Sequence, residues 1–277
     1  MSFRPGSRRT SRGTGRRGVP ALIAAPALIG FAFLVVPLVA LLVRAPWRGL
    51  GDLLSESDVL TALRLSLETA TVATIVSLLF GVPLAWVLAR LRFRGLGLIR
   101  AVVILPLVLP PVVGGIALLL ALGRNGIIGR YLDEWFGITL PFTTPGVIVA
   151  ETFVAMPFLV VTVEGALRSA DRDIEEAAVT LGASRLTVFR RVTVPAIAPS
   201  LVAGSILCWA RALGEFGATI TFAGNFPGTT QTMPLAIYQA FEHDPEAAIA
   251  LSLVLLLVAV VVLAALRDRW LRGPSSL

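Results

Sequence analysis

The sequence predicts an all-α integral membrane protein with six transmembrane helices and a polar helical hairpin between the fourth and the fifth. Of its 277 residues, 56% are hydrophobic and only 15% are charged, and its mean hydropathy is +0.85. Soluble domains carry about 25% charged residues, so this composition favours a lipid environment. Several apolar runs are long enough to cross a bilayer. One polar, charged segment at residues 168–199 separates two of these runs.

Six apolar segments are predicted to span the membrane, because about 20 residues at a rise of 1.5 Å each cover a hydrocarbon core about 30 Å thick. They lie near residues 21–43, 61–89, 99–122, 145–166, 200–223 and 247–266. The third segment contains Pro106, Pro110 and Pro111. Proline removes a backbone donor, so we expect this span to bend.

The distribution of arginine predicts the orientation. The chain has no lysine, and 18 of its 24 arginines lie in the N-terminal tail, the loop between spans two and three, the polar segment and the C-terminal tail. The positive-inside rule then places both termini and the polar segment in the cytoplasm. We predict a disordered basic cytoplasmic tail at residues 1–19, a six-span domain at 20–268 and a cytoplasmic tail at 269–277. The first apolar run is too long for a signal-peptide core, which predicts an uncleaved span.

The rare reactive residues argue against an enzyme. The only cysteine, Cys208, lies in an apolar run, where it is expected to pack. The only histidine, His243, lies in a loop far from it, so no zinc spacing and no catalytic pair is present. The Gly-x4-Gly-Lys-Ser/Thr loop that binds nucleotides is absent too. We therefore predict no metal, no catalytic residue and no cofactor on this chain. The basic charge is ascribed to cytoplasmic loops and not to a nucleic-acid partner.

The polar segment predicts two short helices. Asp171 or Asp173 can cap the first helix, and Glu176 lies three residues after Asp173 as in a capping box. This helix should stop near Gly182, because glycine adopts the left-handed conformation that ends helices. Ser184 can cap the second helix, and we expect Pro195 to close it.

Two uses of this hairpin follow from its pattern. Glu176, Ala177 and Gly182 are predicted at the turn, where small side chains permit close approach by another protein. Apolar residues recur at helical spacing and predict a stripe formed by Ile174, Ala178, Leu181, Val188 and Val192. The pattern alone is equally compatible with a hairpin that docks a soluble partner and with one that lies on the membrane surface.

A motif within the hairpin favours docking. Glu176-Ala177-Ala178-x3-Gly182-x9-Val192-x-Val194-Pro195 resembles the cytoplasmic loop of ABC importer permeases, which inserts into a groove of the ATPase subunit. That family usually has Ile and Leu where this chain has Val192 and Val194. The resemblance implies the type I importer permease fold, with the hairpin as its coupling-helix pair. It also implies that the ATPase-coupling residues are Glu176, Ala177, Ala178, Gly182, Ala183 and Pro195.

A second stretch resembles one branch of this family. Residues 211–219 (Arg-Ala-Leu-Gly-Glu-Phe-Gly-Ala-Thr), 222–228 and 230–238 are similar to the fifth span and following external loop of molybdate and tungstate permeases. Residues 105–115 of the third span resemble the same branch, and the resemblance covers most of residues 60–266. Sulfate permeases share the Arg-Ala-Leu-Gly-Glu-Phe-Gly part, so a sulfate/thiosulfate permease is an alternative.

The resemblance implies a complex in the prokaryotic plasma (inner) membrane. A second copy of the chain would complete the pathway, two ABC ATPase subunits would bind ATP and Mg, and an extracytoplasmic protein would deliver the oxyanion. The rival is a secondary transporter or channel, which should show ion-coupling residues in midspan or an inverted repeat. Apart from the charge pairs within spans described next, only Glu151 and Glu164 are candidates for such residues, and no repeat is visible.

The pathway is expected along the third and fifth spans. Arg211 and Glu215 lie four residues apart on one helix and can pair, as can Arg64 and Glu68. Such a pair can lock helices together, which we favour, or contact the anion. The pathway and gate candidates are Pro110, Pro111, Gly114, Arg211, Glu215, Gly217 and Thr219.

Overall fold

A computed structural model describes residues 21–271 of the chain, and this part is helical without any β-strand. The described residues belong to two compact units, one up to Arg44 and the other from Ala45 onwards. The predicted tail at 1–19 and the end of the predicted C-terminal tail, residues 272–277, lie outside the described residues. The domain boundaries and the two tails therefore stay predictions.

In its described residues, from 21 to 44, the first unit contains one helix, α1 (Ala21–Val43). It stays helical through Pro26 and Pro37. Its segment Leu22–Val43 has a mean hydropathy of 2.7, so it is long and apolar enough to cross a bilayer. This agrees with the first predicted span.

The second unit is built from helices of very different lengths. In chain order they are α2 (Leu50–Ser55), α3 (Ser57–Arg90), α4 (Leu96–Val108), α5 (Pro111–Leu122), α6 (Gly129–Phe136), α7 (Thr144–Ser169), α8 (Arg172–Thr180), α9 (Arg185–Val188), α10 (Val194–Leu213), α11 (Gly217–Phe222), α12 (Met233–His243) and α13 (Pro245–Leu271). Among residues 21–271, five helical segments are long and apolar enough to cross a membrane. If the bent pair of α4 and α5 is counted as one span, there are six. The second, fourth and sixth predicted spans correspond to α3, α7 and α13.

The core of the second unit is formed where α3 and α10 pack against α7. Small residues allow these helices to approach closely. A Cβ atom on Gly81 would lie 3.2 Å from Cγ2 of Val160, and one on Gly204 would lie 3.2 Å from Cδ1 of Leu159. Cys208 is completely buried in this core, as expected of a packing residue.

The third predicted span is not one straight helix. α4 and α5 meet at a bend of 120° at Leu109 and Pro110. Leu109 is extended because the ring of the following proline disfavours the helical conformation, and Pro111 starts α5 at a position where its missing N–H costs nothing. The predicted bend is confirmed, but Pro106 stays inside α4 and takes no part in it.

The fifth predicted span also differs from expectation. A continuous helical path runs from Arg185 to Leu213, so it starts before residue 200. It then breaks at residues 214–216 and resumes as the short α11. The break arises at Gly214, and the side chain of Glu215 turns to cap the next helix.

The end of the second unit opposite the hairpin carries α6 and α12. Nε of Arg124 lies 2.9 Å from Oδ2 of Asp133, and this hydrogen bond lowers the pKa of Asp133. Oδ1 of the same carboxylate accepts a hydrogen bond from the Thr139 hydroxyl, so α6 is fixed to the loop that follows it. α12 is anchored to α3, because the backbone N–H of Met233 donates to Oγ of Ser66.

Candidate functional site

The first helix of the hairpin begins and ends at predicted residues. The carboxylate of Asp171 accepts a hydrogen bond from the backbone N–H of Asp173 at 2.9 Å and caps α8, so Asp171 and not Asp173 is the cap. Gly182 has φ +87°, in the left-handed region. Glu176 and Ala177 lie within α8, however, and not at the turn as predicted. Of the three residues expected there, only Gly182 forms the turn.

The second helix of the hairpin starts as predicted but does not end at Pro195. Oγ of Ser184 accepts from the backbone N–H of Thr187 at 3.2 Å and caps α9. The chain then forms one π-helical turn, Phe189–Thr193, and continues directly into α10. Pro195 sits at the start of α10, where the spacing of the backbone hydrogen bonds changes. Its missing N–H therefore falls at a change of register and does not stop the helix.

The predicted apolar stripe is only partly buried. Val188 is buried, but Ile174 is 57% exposed and Leu181 is 89% exposed. α8 contains no buried residue at all. We call the exposed apolar residues of this region the hairpin surface; they are Ile174, Val179, Leu181 and Leu186. An apolar patch on an otherwise polar segment is typical of a contact with a partner.

Polar contacts attach α8 to the rest of the second unit. Nη2 of Arg90, the last residue of α3, lies 2.6 Å from Oε1 of Glu175. The hydroxyl of Thr193 donates to the same oxygen at 2.8 Å. A cavity of about 530 Å³ lies beside this cluster, between the end of α3 and the hairpin. None of these three residues was a predicted site residue.

A second cluster of charges ties α4 to α7 near the same end. Glu164 accepts from Nη2 of Arg100 at 2.8 Å and from Nη2 of Arg168 at 2.9 Å. Arg100 also donates to the carbonyl of Leu88, so it joins three helices. The sequence suggests Glu164 only as an ion-coupling candidate of a secondary transporter. Its two arginine partners indicate a structural role.

The predicted pathway residues of the third and fifth segments come together. A Cβ on Gly217 of α11 would lie 2.9 Å from Cβ of Pro111 in α5, so glycine is needed for this close approach. A Cβ on Gly114 would lie 3.1 Å from Cε1 of Phe153. Gly114 and Thr219 are both buried. Pro110 and Pro111 are exposed. The structure therefore places part of the predicted set inside a helix contact and part on the surface.

Glu215 has two partners. Its Oε2 lies 2.6 Å from Nη2 of Arg211, as the spacing predicts, and its side chain is only 1% exposed. Its other oxygen accepts the backbone N–H of Ala218 at 2.7 Å and so satisfies a free donor at the start of α11. Arg64 and Glu68 also pair at 2.6 Å, but both side chains are largely exposed.

One buried carboxyl group was not assigned to the pathway by the sequence. Glu151 is 1% exposed, and its Oε1 accepts a hydrogen bond from the hydroxyl of Thr69 at 2.9 Å. Its partner lies 82 residues away, so no local pattern marks it. Among residues 21–271, no three Cys, His, Asp or Glu side chains group in a way that could hold a metal ion.

Comparison with known proteins gives a consistent family assignment. The family model described as "Binding-protein-dependent transport system inner membrane component" matches residues 81–273. The molybdenum transport system permease protein ModB of Mycobacterium bovis is 50% identical over 88% of this chain and 92% of that protein. ModB of Escherichia coli K12 is 42% identical over 77% of this chain and 93% of that protein. The sulfate transport system permease protein CysT of Salmonella typhimurium is 38% identical over 83% of this chain and 84% of that protein.

A solved structure shares the fold. It is the bacterial alginate ABC transporter in complex with an alginate pentasaccharide-bound periplasmic protein. The match has a TM-score of 0.69 at 18% identity and covers 90% of this chain and 94% of that one. At this identity the similarity concerns the fold alone.

Proposed function

The chain belongs to the family of binding-protein-dependent transport system inner membrane components, and we propose that it is the permease subunit of an ATP-driven importer for molybdate. It is a multi-pass membrane protein and a transport component, not an enzyme. The observation that carries the choice of cargo is the higher identity with the molybdenum permeases than with the sulfate permease. Tungstate is the alternative that the experiment below separates from molybdate.

The hairpin surface is the proposed docking site for the ATPase subunit. The apolar side chains of the hairpin surface, above all Leu181, are exposed and can be buried against a partner. Gly182 between the two helices leaves space for close approach. ATP and Mg would be bound by that subunit, because this sequence has no nucleotide-binding loop of its own. Docking by the motif residues Glu176, Ala177, Ala178, Gly182 and Ala183 is part of the proposal.

The proposed assembly contains two copies of this chain, two ATPases and an external oxyanion-binding protein. Closure of the ATPases would draw the two hairpins together and turn the pathway from inward-facing to outward-facing. Arg211 and Glu215 form a nearly neutral pair, so they would not trap a passing anion. Weak binding suits a conduit, because the cargo must leave again. Both termini and the hairpin would lie in the cytoplasm, which the arginine distribution supports.

Reconstitution tests this function directly. The chain is placed in proteoliposomes with the cognate ATPase and binding protein, and uptake of radiolabelled molybdate is followed with ATP or with a non-hydrolysable analogue. We expect uptake only with ATP, competition by unlabelled molybdate and little competition by sulfate. Equal competition by tungstate would make the cargo a class of oxyanions, and uptake driven by an ion gradient without ATP would contradict the importer.

A further inference from the structure

In the proposed importer α8 passes movement of the ATPase on to the membrane helices, yet its own apolar packing is slight. None of its residues is fully buried, and only Glu175 and Ala178 are half-buried. A side chain that is not packed against a neighbour transmits little force, because apolar contacts act only at close range. What fixes α8 to the second unit must therefore be sought among its polar contacts.

Among these contacts, the one between Arg90 and Glu175 is an ion pair. The Arg90 side chain is 8% exposed and that of Glu175 is 21% exposed. Nε and Nη1 of Arg90 are buried and have no hydrogen-bond partner in the described part of the chain. Glu175 is thus the one carboxylate that compensates this guanidinium there, and removing it would leave a buried charge uncompensated.

A cavity of about 530 Å³ lies beside this pair, between α8 and the end of α3. Apolar side chains from α3 and the hairpin line it without filling it; they include Trp86, Leu91, Val179, Val188 and Phe189. A second polar contact of α8 also reaches α3, since Nη2 of Arg172 lies 3.5 Å from the carbonyl oxygen of Ala89 at an exposed position. The 2.6 Å contact to Arg90 is shorter and more buried than that one.

The same carboxylate oxygen reaches a second membrane helix. Thr193 donates to Oε1 of Glu175 and is the last residue of the π-helical turn, directly before α10. One side chain of α8 is therefore bonded both to the end of α3 and to the start of α10. By contrast, Glu176 is exposed and makes no ion pair within residues 21–271.

We propose that Glu175 is the positioning residue that transmits displacement of α8 to α3 and α10, while the adjacent motif residue Glu176 serves docking only. This rests on the proposed function, since the displacement comes from the ATPase. Glu175 acts through Arg90 and Thr193 and does not touch the cargo. Loss of its carboxylate separates ATP hydrolysis from transport without releasing the ATPase.

The test compares Glu175→Ala and Glu175→Gln with Asp173→Asn in the reconstituted complex. Asp173→Asn removes one negative charge from the same helix at an exposed position without a side-chain partner in the described contacts. For both Glu175 variants we expect normal ATPase co-purification. ATP hydrolysed per molybdate imported should rise about tenfold in Glu175→Ala and less in Glu175→Gln, whose amide oxygen can still accept from Arg90 and Thr193. Asp173→Asn should keep the wild-type ratio. Arg90→Ala, alone or combined with Glu175→Ala, should give the same raised ratio, because the two residues act as one unit.

Several outcomes would overturn the inference. A wild-type ratio in both Glu175 variants, or effects of Arg90→Ala and Glu175→Ala that multiply, would show that the pair transmits nothing. Loss of ATPase co-purification in Glu175→Gln, which keeps the shape of the side chain, would show that it docks the ATPase. If the wild-type complex itself imports no molybdate with ATP, the proposed function fails instead, and the two failures are distinct.

Discussion

Replacing Gly182 by valine is expected to lower both ATPase co-purification and molybdate uptake by about tenfold. Gly182 has φ +87°, and a Cβ there would meet nothing within 4 Å, so the penalty lies in the backbone alone. An L-residue in the left-handed conformation costs about 1–2 kcal/mol, and about 1.4 kcal/mol is a factor of ten. The turn should relax by breaking the hydrogen bond from Ala183 to the Ala178 carbonyl, which moves α8 relative to α9.

Gly137 supplies a matched control for this prediction. It has φ +66°, and a Cβ there also has free space, but it ends α6 at the other end of the second unit. Gly137→Val should impose a similar strain on the chain and leave ATPase co-purification intact. Normal co-purification together with normal uptake in Gly182→Val would remove the docking role of the hairpin.

Glu215→Ala is expected to cause a large loss of stability. It leaves the charge of Arg211 without its partner and the N–H of Ala218 without an acceptor. Breaking a buried ion pair costs about 3–5 kcal/mol, and the partial exposure of Arg211 places this one near the lower end. Thermal unfolding in detergent measures the loss. Glu215→Gln should lie between the wild type and Glu215→Ala, because its amide oxygen still accepts from Ala218.

The exchange of Arg211→Glu with Glu215→Arg separates the two roles of this carboxylate. It can restore the ion pair, but arginine has no acceptor for the N–H of Ala218. We therefore expect stability between that of Glu215→Ala and the wild type. Full stability in the exchange variant would show that pairing alone matters. Normal assembly of Glu215→Gln with abolished uptake would contradict a purely structural role and favour contact with the anion.

Local chemistry makes much of the fold predictable. Helix caps act within a few residues, so Asp171, Ser184 and Gly182 can be recognised from their neighbours along the chain. The same holds for the break before Pro111 and for the pair of Arg211 with Glu215. The motif of the hairpin likewise indicates the type of protein from the order of its residues alone.

Contacts between distant residues are not predictable in this way. Arg90 lies 85 residues from Glu175, and no spacing links them. Helical periodicity marks the apolar face of Ile174 and Leu181 without saying whether the partner of that face is in the same chain. The prediction of a helix end at Pro195 was wrong because the π-helical turn that accommodates this proline leaves no mark in the sequence.

Cross-linking from Leu181 tests the central claim most directly. This side chain is the most exposed of the hairpin surface. A photo-reactive amino acid placed there in native membranes should form an adduct with the nucleotide-hydrolysing subunit, whereas the same probe at Trp135, exposed on α6, should not. Adducts from position 181 with phospholipid alone would contradict the claim that the ATPase binds the permease at this hairpin.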